Sequence, residues 1–399
     1  MADPFFEAKL LLKELTDRGY AAYIVGGAIR DHLLGKPIHD IDIATSAVPK
    51  EVMAVFPKTF PVGIRHGTVL VRFKHKDYEV TTFRSESTYG DFRHPDHVTF
   101  ETTIEADLAR RDFTINAMAM DLNGDIFDPY DGKKDLQKKR LRTVGRPSER
   151  FIEDPLRMLR AVRFVAELDL TVSENLKAAL KAKAPYVHHL AIERVNQEFH
   201  KLLAAPHFDK GFLLFGESGL AKYLPFLKGF RALHLTQIRF DRLQSDEERW
   251  TAFLLAMAMT DPKAFLTAWK FSKQQRDRIL TLIQAVKDFT DKLWDRLAVY
   301  RLGVKRALAA ERVIVALGCI SESREPLIHT LASECPISER RELAVDGNDL
   351  MDWLDKSGGP WTGAAINKIE KAVVRGELEN SREAIGKWVK TCLGQKMRF

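Results

Sequence analysis

The sequence predicts an α+β protein, with a small mixed β-sheet flanked by helices near the N-terminus and an elongated, all-α remainder after it. Runs rich in β-branched residues, with the two-residue alternation of strands, are confined to about the first 130 residues. After "DPYDG" at 128–132, the apolar residues recur with the spacing of helices. All six tryptophans lie at or beyond Trp250, which indicates a separate C-terminal core.

The composition is that of an ordinary globular protein. Its 399 residues exceed what one compact core usually holds, so two or more domains are expected. Hydrophobic residues make up 45% and charged residues 29%, which excludes a largely disordered chain. The sequence has neither the roughly 18 to 20 consecutive apolar residues of a membrane-spanning helix nor a signal peptide. A cytoplasmic location is therefore predicted.

The cysteines and histidines predict neither disulfides nor a zinc site. The three cysteines are odd in number and far apart, which is typical of reduced thiols (Cys319, Cys335 and Cys392). The twelve histidines form no HExxH pattern and the cysteines no CxxC pair, so zinc is not expected.

Five segments are predicted to form the sheet. Four are single strands, at 21–27, 39–45, 67–73 and 77–83. The fifth, "AMAMDLNGDIFD" at 117–128, is predicted to be a hairpin because Asn123-Gly124 suits a tight type I′ turn.

Helices dominate the rest of the chain. In "DPLRMLRAVRFVAEL" at 154–168, Asp154 suits the N-cap and Pro155 the first position of a helix. Further helices are predicted at 175–184, 191–204, 247–259, 262–270, 274–290, 307–317 and 364–375.

Two aspartates in the second strand are the first candidate site residues. Side chains alternate along a strand, so Asp40 and Asp42 point the same way while Ile41 and Ile43 point into the core. Two neighbouring carboxylates repel each other unless a cation lies between them, and hard oxygen ligands favour Mg²⁺. The alternative is that both acids face solvent on an edge strand.

A third acid favours the metal interpretation. Glu79 lies among apolar and β-branched residues of "DYEVTTF", where an unpaired carboxylate would be costly if buried. On a strand next to Asp40 and Asp42 it would complete a three-carboxylate site for two metal ions. Such a site activates an attacking hydroxyl and neutralises a leaving phosphate without a separate protein base.

A glycine pair precedes these acids. Gly26-Gly27 ends the first strand and opens a short helix at 28–34, a geometry that suits phosphate binding. Arg30, in the first turn, adds a planar fork for phosphate oxygens. A plain tight turn is the alternative, and the P-loop pattern is absent.

Positive charge is concentrated in one segment. Residues 133–150 contain eight Lys or Arg against two acids, whereas the whole chain carries a formal net charge of +7. The segment is either a solvated linker or a surface that faces a polyanion.

Four ordered motifs resemble a known family. "GGAIRDHLLGKPIHDIDIAT", "ARRDFTINAMAMD", "DPYDG" and "EDPLRMLRAVRF" resemble the bacterial class II tRNA nucleotidyltransferases, the CCA-adding enzymes, which are related to bacterial poly(A) polymerases. The resemblance implies a nucleotidyltransferase head at 1–140, a base-recognising neck at 141–205, a body at 206–300 and a tRNA-binding tail at 301–399.

The resemblance also implies roles for individual residues. Asp40 and Asp42 would hold the catalytic metals, with Glu79 as the third carboxylate. The predicted nucleotide contacts in the head are Gly27 and Arg30 at the triphosphate, Arg111 at phosphate, Asp112 at the ribose and Asn116 as a brace. Glu193 and Arg194 would brace the helix that binds the nucleotide. For Arg110-Arg111 the alternative is a solvated basic pair at a helix start.

The EDxxRxxR motif predicts base selection. Its four residues are spaced by three (Asp154, Arg157, Arg160 and Arg163), so each is rotated about 60° from the last around a helix. Asp154 and Arg157 can together read one base, while Arg160 and Arg163 turn toward phosphate or primer. An acceptor beside a donor matches the edges of C and A and not those of G and U. The alternative is that Asp154 only caps the helix.

The resemblance extends to a loop and to the reaction. The segment from Arg84 through Arg93 resembles the flexible loop of CCA- and A-adding members, which argues against a CC-only enzyme. The predicted reaction adds C, C and A to the 3′ end of tRNA from CTP and ATP, with Mg²⁺ as cofactor and release of pyrophosphate. An A-adding or poly(A) enzyme and a non-catalytic RNA-binding paralogue are the alternatives. The oligomeric state is left open, with a homodimer as one outcome.

Overall fold

A computed structural model describes residues 3–87 and 97–392. The chain divides into two compact units, one of residues 1–236 with 267–270 and one of residues 237–266 with 271–399. The described strands all lie in the first unit, so the predicted α+β class is confirmed. The division into head, neck, body and tail is finer than these two units and stays a prediction.

One mixed sheet forms the centre of the N-terminal region. The described strands are β1 Ala22–Val25, β2 Asp42–Thr45, β3 Thr59–Gly63, β4 Thr68–Phe73, β5 Lys76–Thr82, β6 Arg84–Ser87, β7 His97–Phe100, β8 Ala119–Met120, β9 Ile126–Phe127, β10 Arg140–Leu141 and β11 Thr171–Val172. Seven of them pair in the order β3-β4-β5-β2-β1-β8-β9, while β6 pairs with β7 and β10 with β11. Only the β2–β5 pairing in the seven-stranded sheet is parallel.

Helices flank this sheet and are the main elements of the rest of the described chain. The helices up to residue 235 are α1 Phe6–Thr16, α2 Gly27–Leu33, α3 Pro49–Val55, α4 Ile104–Ala109, α5 Gly132–Gln137, α6 Pro147–Glu153, α7 Leu156–Leu168, α8 Glu174–Lys183, α9 Ile192–Leu203, α10 Phe208–Glu217 and α11 Ala232–Leu235. The later ones are α12 Asp246–Ala256, α13 Pro262–Ala268, α14 Lys273–Phe289, α15 Arg296–Leu302, α16 Val304–Ala316, α17 Glu325–Ser333, α18 Gly347–Leu354, α19 Pro360–Arg375 and α20 Arg382–Cys392. In residues 3–87 and 97–392, no helix is both long and apolar enough to span a membrane.

The hairpin was predicted correctly but its turn was not. β8 and β9 pair antiparallel, with Ala119 opposite Phe127. A type I′ turn needs positive φ at both central residues, and of Asn123 and Gly124 only Gly124, at φ 95°, has it. The Asp121 carbonyl instead accepts from the Gly124 N–H, and the Asp121 carboxylate accepts from the Asp125 N–H. These bonds stabilise a longer loop.

The tryptophan prediction needs one correction. Trp269 belongs to the first unit, where its ring packs edge-on against Phe199 at 4.9 Å. Its carbonyl accepts from the Asn196 side chain at 2.8 Å. The other five tryptophans do lie in the second unit (Trp250, Trp294, Trp353, Trp361 and Trp388). The prediction therefore assigned the four-residue segment 267–270 to the C-terminal core, whereas it belongs to the first unit.

The two cysteines with described side chains, Cys319 and Cys335, are free thiols, as predicted. The side chain of Cys392 lies outside the described part of the chain.

Candidate active site

Two carboxylates lie opposite each other on neighbouring strands. β2 pairs in parallel with β5, and the register places Asp42 opposite Glu79. Asp42 and Glu79 are exposed, whereas the next pair along, Ile43 and Val80, is fully buried. The apolar side chains on one face of the two strands pack into the core, and the carboxylates of Asp42 and Glu79 project from the other face.

Asp40 lies just outside the strand in which it was predicted. β2 begins at Asp42, so Asp40 belongs to the preceding loop, and Ile41 is only partly buried. β2 lies between β1 and β5, which excludes the alternative of an edge strand.

The carboxyl groups of this site repel one another. Although Asp42 is exposed as a residue, desolvation of its carboxyl and the charge of Glu79 raise its pKa. Arg111 opposes the rise, and the charge of Asp40 adds to it. Two acids therefore raise the pKa of a third, and carboxylate oxygens are the ligand type that a hard divalent cation prefers. Within the described residues, no group of three or more His, Cys, Asp or Glu is already gathered around a metal position.

Gly26 allows an arginine to approach these acids. It has φ 76° and lies between the end of β1 and the start of α2. A Cβ atom there would lie 2.9 Å from Nη1 of Arg111 and 3.8 Å from Oδ2 of Asp42. Any side chain would therefore displace Arg111, so the glycine does more than form a tight turn.

Arg30 is held on several sides. Its Nε and Nη2 donate to the two carboxylate oxygens of Asp31 at 2.9 and 3.0 Å, and Nη1 donates to Oδ1 of Asn116 at 2.7 Å. Its guanidinium also lies over the Phe164 ring, 5.2 Å from the centroid. The fork predicted for phosphate is thus fixed in place by protein groups.

Arg110 and Arg111 follow the end of α4 rather than starting a helix. Both donate to the buried Asp107, at 2.6 Å for Arg110 and 3.0 Å for Arg111. Burial alone would raise the pKa of Asp107, but the two guanidinium charges hold it below its ordinary value. The two side chains are only 18% and 17% exposed, so the alternative of a solvated basic pair is wrong.

Asp112 and Asn116 connect the head residues to helix α7. Asp112 accepts from the side chain of Asn116 at 3.1 Å and from Nε of Arg160 at 2.7 Å. Burial would raise the pKa of Asp112, but Arg160 and hydrogen bonds from Asn116 and the Phe113 N–H lower it to about 2. Asn116 also receives the bond from Arg30, so it lies between the two arginines.

Asp154 and Arg157, the predicted base-reading pair, each bind other groups of the protein. Asp154 pairs with Arg194 of α9, at 3.0 Å from Oδ2 and 3.4 Å from Oδ1, and it accepts from the Leu156 N–H at 3.0 Å. Arg157 donates to Glu153 at 2.6 Å and to the carbonyls of Arg150 and Arg110. Asp154 and Arg157 are thus not bonded to each other. The predicted cap is displaced by one residue: α7 begins at Leu156 with Pro155 at the N-cap, so Asp154 precedes the N-cap although it accepts from the Leu156 N–H.

Arg163 does not turn toward a phosphate or a primer. It is 7% exposed, and its Nε donates to the buried Glu198 at 2.6 Å. Arg160 does reach the head, through Asp112. Of the bracing pair, Arg194 holds Asp154, whereas Glu193 is exposed in the first turn of α9.

The basic stretch 133–150 is folded and only in part an open surface. Asp135 is fully buried and pairs with Arg140 and Arg142, both at 2.7 Å. Arg150 donates to the Arg111 carbonyl at 2.9 Å. The stretch forms α5, β10 and the start of α6, so it is not a solvated linker.

The predicted flexible loop is described only at its base. Residues 84–87 and 97–100 form the antiparallel pair β6–β7. Residues 88–96, which include the rest of the segment from Arg84 through Arg93, lie outside the described part.

Three site residues were missed by sequence reasoning. Asp107 precedes Arg110 and Arg111 by three and four residues, and Glu153 lies three residues after Arg150 and four before Arg157. This helical spacing could have indicated the pairs. Glu198 is 35 residues from Arg163, and no local signal indicates that contact.

Three family models match the chain. A model described as "Poly A polymerase head domain" matches residues 22–142, and "Probable RNA and SrmB- binding site of polymerase A" matches residues 169–230. A third, "tRNA nucleotidyltransferase domain 2 putative", matches residues 241–389.

Known proteins match over nearly the whole length. The CCA-adding enzymes of Bacillus cytotoxicus and Bacillus cereus are each 41% identical over 391 residues, which cover 97% of this chain and 98% of each relative. The crystal structure of the Bacillus stearothermophilus CCA-adding enzyme in complex with CTP superposes with a TM-score of 0.91 at 40% identity, covering 99% of both chains. The Thermotoga maritima CCA-adding enzyme complexed with tRNA shares the fold, with a TM-score of 0.68 at 23% identity over 98% of this chain and 96% of that one.

Proposed function

The chain belongs to the CCA-adding enzymes, and on this basis we propose how its residues build the 3′-terminal CCA of tRNA from CTP and ATP. It is a nucleotidyltransferase that acts on tRNA. The observation that supports the proposed site most strongly is the register of β2 and β5, which places Asp42 opposite Glu79 beside Arg111.

The carboxylates form the proposed catalytic centre. Asp40, Asp42 and Glu79 would hold the divalent metal that the family implies, and their all-oxygen donor set suits Mg²⁺. A bound Mg²⁺ would lower the pKa of the primer hydroxyl and neutralise charge on the phosphates. The chain's own part is to gather the acids on one face of the sheet. The 3′-hydroxyl of the tRNA then loses its proton to solvent, its oxygen bonds to the α-phosphorus, and the bond from that phosphorus to the pyrophosphate oxygen breaks.

The triphosphate and ribose would be held next to these acids. We assign Gly27 and Arg30 to the triphosphate and Arg111 to a phosphate, because the Arg111 guanidinium lies beside Gly26 and Asp42. Asp112 would accept from a ribose hydroxyl. Its low pKa keeps it ionised, and an ionised carboxylate can only accept.

Base selection would use the groups that Asp154 and Arg157 keep available. Within residues 3–87 and 97–392, Oδ2 of Asp154 accepts only from Arg194, and it can take a further bond from the exocyclic amino group of C or A. Three of the five N–H donors of Arg157 are engaged, which leaves Nε–H and one N–H of Nη2 for N3 of C or N1 of A. U and G present an oxygen where the amino group is required, so they would leave the carboxylate facing an acceptor.

A groove in the first unit, lined by apolar residues together with two lysines, is the proposed tRNA contact, in addition to the predicted tail. Its lining includes His188, Tyr223, Lys222 and Lys228. Residues 175–192 and 218–236, which contribute this lining, contain no Asp or Glu. Lysines with an exposed tyrosine suit an RNA backbone with an unpaired base, and a family model for RNA binding covers 169–230.

The remaining partners are proposals of the same kind. ATP is proposed as the second substrate because it supplies the terminal A. A homodimer is one proposed assembly, and the cytoplasm is the proposed location.

An incorporation assay tests the function. The purified chain is incubated with Mg²⁺ and tRNA that lacks its 3′ CCA, with CTP, ATP, both, or all four nucleotides. We expect two C residues with CTP alone and C, C and one A with both. Addition of A only, or of long A tails, would indicate the A-adding or poly(A) alternative. No incorporation, with tRNA still bound, would indicate an RNA-binding paralogue.

A further inference from the structure

One buried aromatic ring is surrounded by arginines. Phe164 of α7 is 1% exposed, and three guanidinium groups lie over its ring. The distances to the ring centroid are 4.3 Å for Arg163, 5.2 Å for Arg30 and 5.4 Å for Arg160. All three are within the range at which a cation is attracted to the ring face.

Two of the three arginines are neighbours on the same helix and have acids of their own. Arg160 binds Asp112, and Arg163 binds Glu198 and Glu167. Arg30 comes from α2, so its contact with Phe164 is the one that connects two elements of the fold.

Arg30 keeps donors for a ligand while its plane is fixed. Asp31 and Asn116 use three of its five N–H groups and leave one on each terminal nitrogen. The bare Cα of Gly27 faces the same guanidinium, since a Cβ there would lie 3.4 Å from Nη2. Asp31 and Asn116 fix the edges of the fork, and its central carbon lies over the ring of Phe164.

We propose that Phe164 is a positioning residue that presents Arg30 to the triphosphate of the incoming nucleotide. The proposal rests on the assignment of Arg30 to the triphosphate. The face of the aromatic ring carries negative charge and attracts the cation, so the arginine is held in its binding orientation before the nucleotide arrives. A long side chain that is ordered in advance loses less entropy on binding.

Packing alone would give Phe164 a different role. The ring also contacts Phe113 edge-on at 5.6 Å, as an ordinary core residue would. The packing role and the positioning role can be distinguished with a ring of the same shape that lacks the negative face. Such a ring preserves packing and removes the attraction to cations. Fluorination of the ring has this effect.

The test replaces Phe164 in the full chain by trifluorophenylalanine and measures the affinities for CTP and CMP. We expect CTP to bind about three- to tenfold more weakly. CMP binding should stay nearly unchanged, so the CTP-to-CMP affinity ratio falls, while the unfolding temperature drops because three guanidinium groups lose their attraction to the ring. In an Arg30→Ala background the same replacement should have no effect on this ratio. Phe164→Leu provides a second measurement, with a larger loss of stability and the same fall in the ratio.

The outcomes separate this inference from the proposed function. If Arg30→Ala lowers the ratio but neither change at Phe164 does, Phe164 has only a packing role and the inference is wrong. Equal weakening of CTP and CMP leads to the same conclusion. If Arg30→Ala leaves the ratio unchanged, both the assignment of Arg30 and the inference fail. Phe151→Leu is the matched control, because Phe151 is fully buried in α6 and no guanidinium of the described chain lies over it.

Discussion

Asp42 is a proposed metal ligand whose pKa affects the stability of the folded chain. Its pKa is raised by desolvation and by Glu79, so the folded chain binds this proton more tightly than the unfolded chain. Folding stability is therefore lost as pH rises through the pKa of Asp42. Without metal at neutral pH, the ionised Asp42 destabilises the fold.

Asp42→Asn should therefore stabilise the metal-free protein. At pH 7 in a chelator we expect the unfolding temperature to rise by about 1–2 °C, the size of a surface charge effect, and the gain to vanish at low pH. Added Mg²⁺ should raise the unfolding temperature of the wild type more than that of the variant. Thermal unfolding with and without Mg²⁺ measures both effects. A variant less stable than the wild type in chelator at pH 7 would show that the three acids do not repel as described.

Arg157→Ala should relax base selection. Loss of the donor should reduce discrimination of CTP against UTP by roughly 5- to 150-fold, the equivalent of about 1–3 kcal/mol. The measurement is the ratio of kcat/KM for CTP and UTP, in which a general loss of activity cancels.

The matched control is Arg163→Ala, because Arg163 is an equally buried arginine of α7 that pairs with Glu198 instead. It should lower stability and leave the CTP-to-UTP ratio unchanged. If Arg157→Ala keeps full selectivity at a reduced rate, Arg157 does not read the base.

Sequence reasoning placed individual residues well where the contacts are local. The alternation around Asp42 and the apolar neighbours of Glu79 indicated one face of a sheet, because side chains in a strand follow a period of two. The family resemblance marked Arg194 as a brace but did not identify Asp154 as its partner, because Arg194 is 40 residues away and reaches Asp154 only after α9 has packed. No periodicity encodes such a contact.

Among the elements, helix α7 links the head to the base-reading motif. Arg160 extends from it to Asp112, whose pKa of about 2 is below its ordinary value of 3.8. A lowered carboxyl pKa contributes stability that is present above pH 3.8 and is lost as pH falls toward 2. The link should therefore weaken in acid.

Arg160→Ala should leave Asp112 as a nearly buried charge without its ion-pair partner. We expect a loss of about 3–5 kcal/mol in the free energy of unfolding at pH 7, measured by urea denaturation. The loss should shrink as the pH is lowered toward 3, because a protonated Asp112 no longer needs the cation. Arg160→Ala with Asp112→Asn should recover part of the stability. A single variant as stable as the wild type would contradict the description of this ion pair.

Elements were predictable where their pattern is strong. The helix at 273–289 has regular apolar spacing, and the structure places α14 within one residue of the prediction at each end. α10 was missed because Gly211 and Gly216 give it a low helix propensity. A Cβ at Gly211 would lie 2.7 Å from Leu202 and 2.8 Å from Ala166, so close packing requires the glycine there.

For the whole molecule, the substrate surface depends on residues that are distant in sequence. The groove near Lys222 and Lys228 combines two segments without acids, and only the fold brings them together. The charge count in the sequence pointed instead to 133–150, where arginines pair with the buried Asp135. A positive net charge indicates a polyanionic partner, but it does not show which lysines and arginines are already paired with acids of the protein.

Lys222→Ala with Lys228→Ala should weaken tRNA binding. If each lysine contacts one phosphate, the double variant should reduce the slope of log K against log salt by about 1–2. Filter binding of tRNA over a range of salt concentrations measures this slope. Lys50→Ala with Lys58→Ala, two exposed lysines elsewhere in the first unit, should leave it unchanged. Equal slopes for both double variants would exclude the groove.

The most direct test of the central claim is the single-turnover rate of C addition to tRNA lacking its CCA, compared between Asp42→Asn and Asp77→Asn. Asp77 is an exposed acid of β5 that pairs with Arg72 at 2.7 Å, two residues before Glu79. Asp42→Asn should slow the step by at least about 100-fold, because loss of a metal ligand removes several kcal/mol of transition-state stabilisation. Its affinities for CTP and tRNA should stay within a few-fold of the wild type, and Asp77→Asn should react at the wild-type rate. Equal rates for the two variants would contradict the assignment of Asp42 to the catalytic centre.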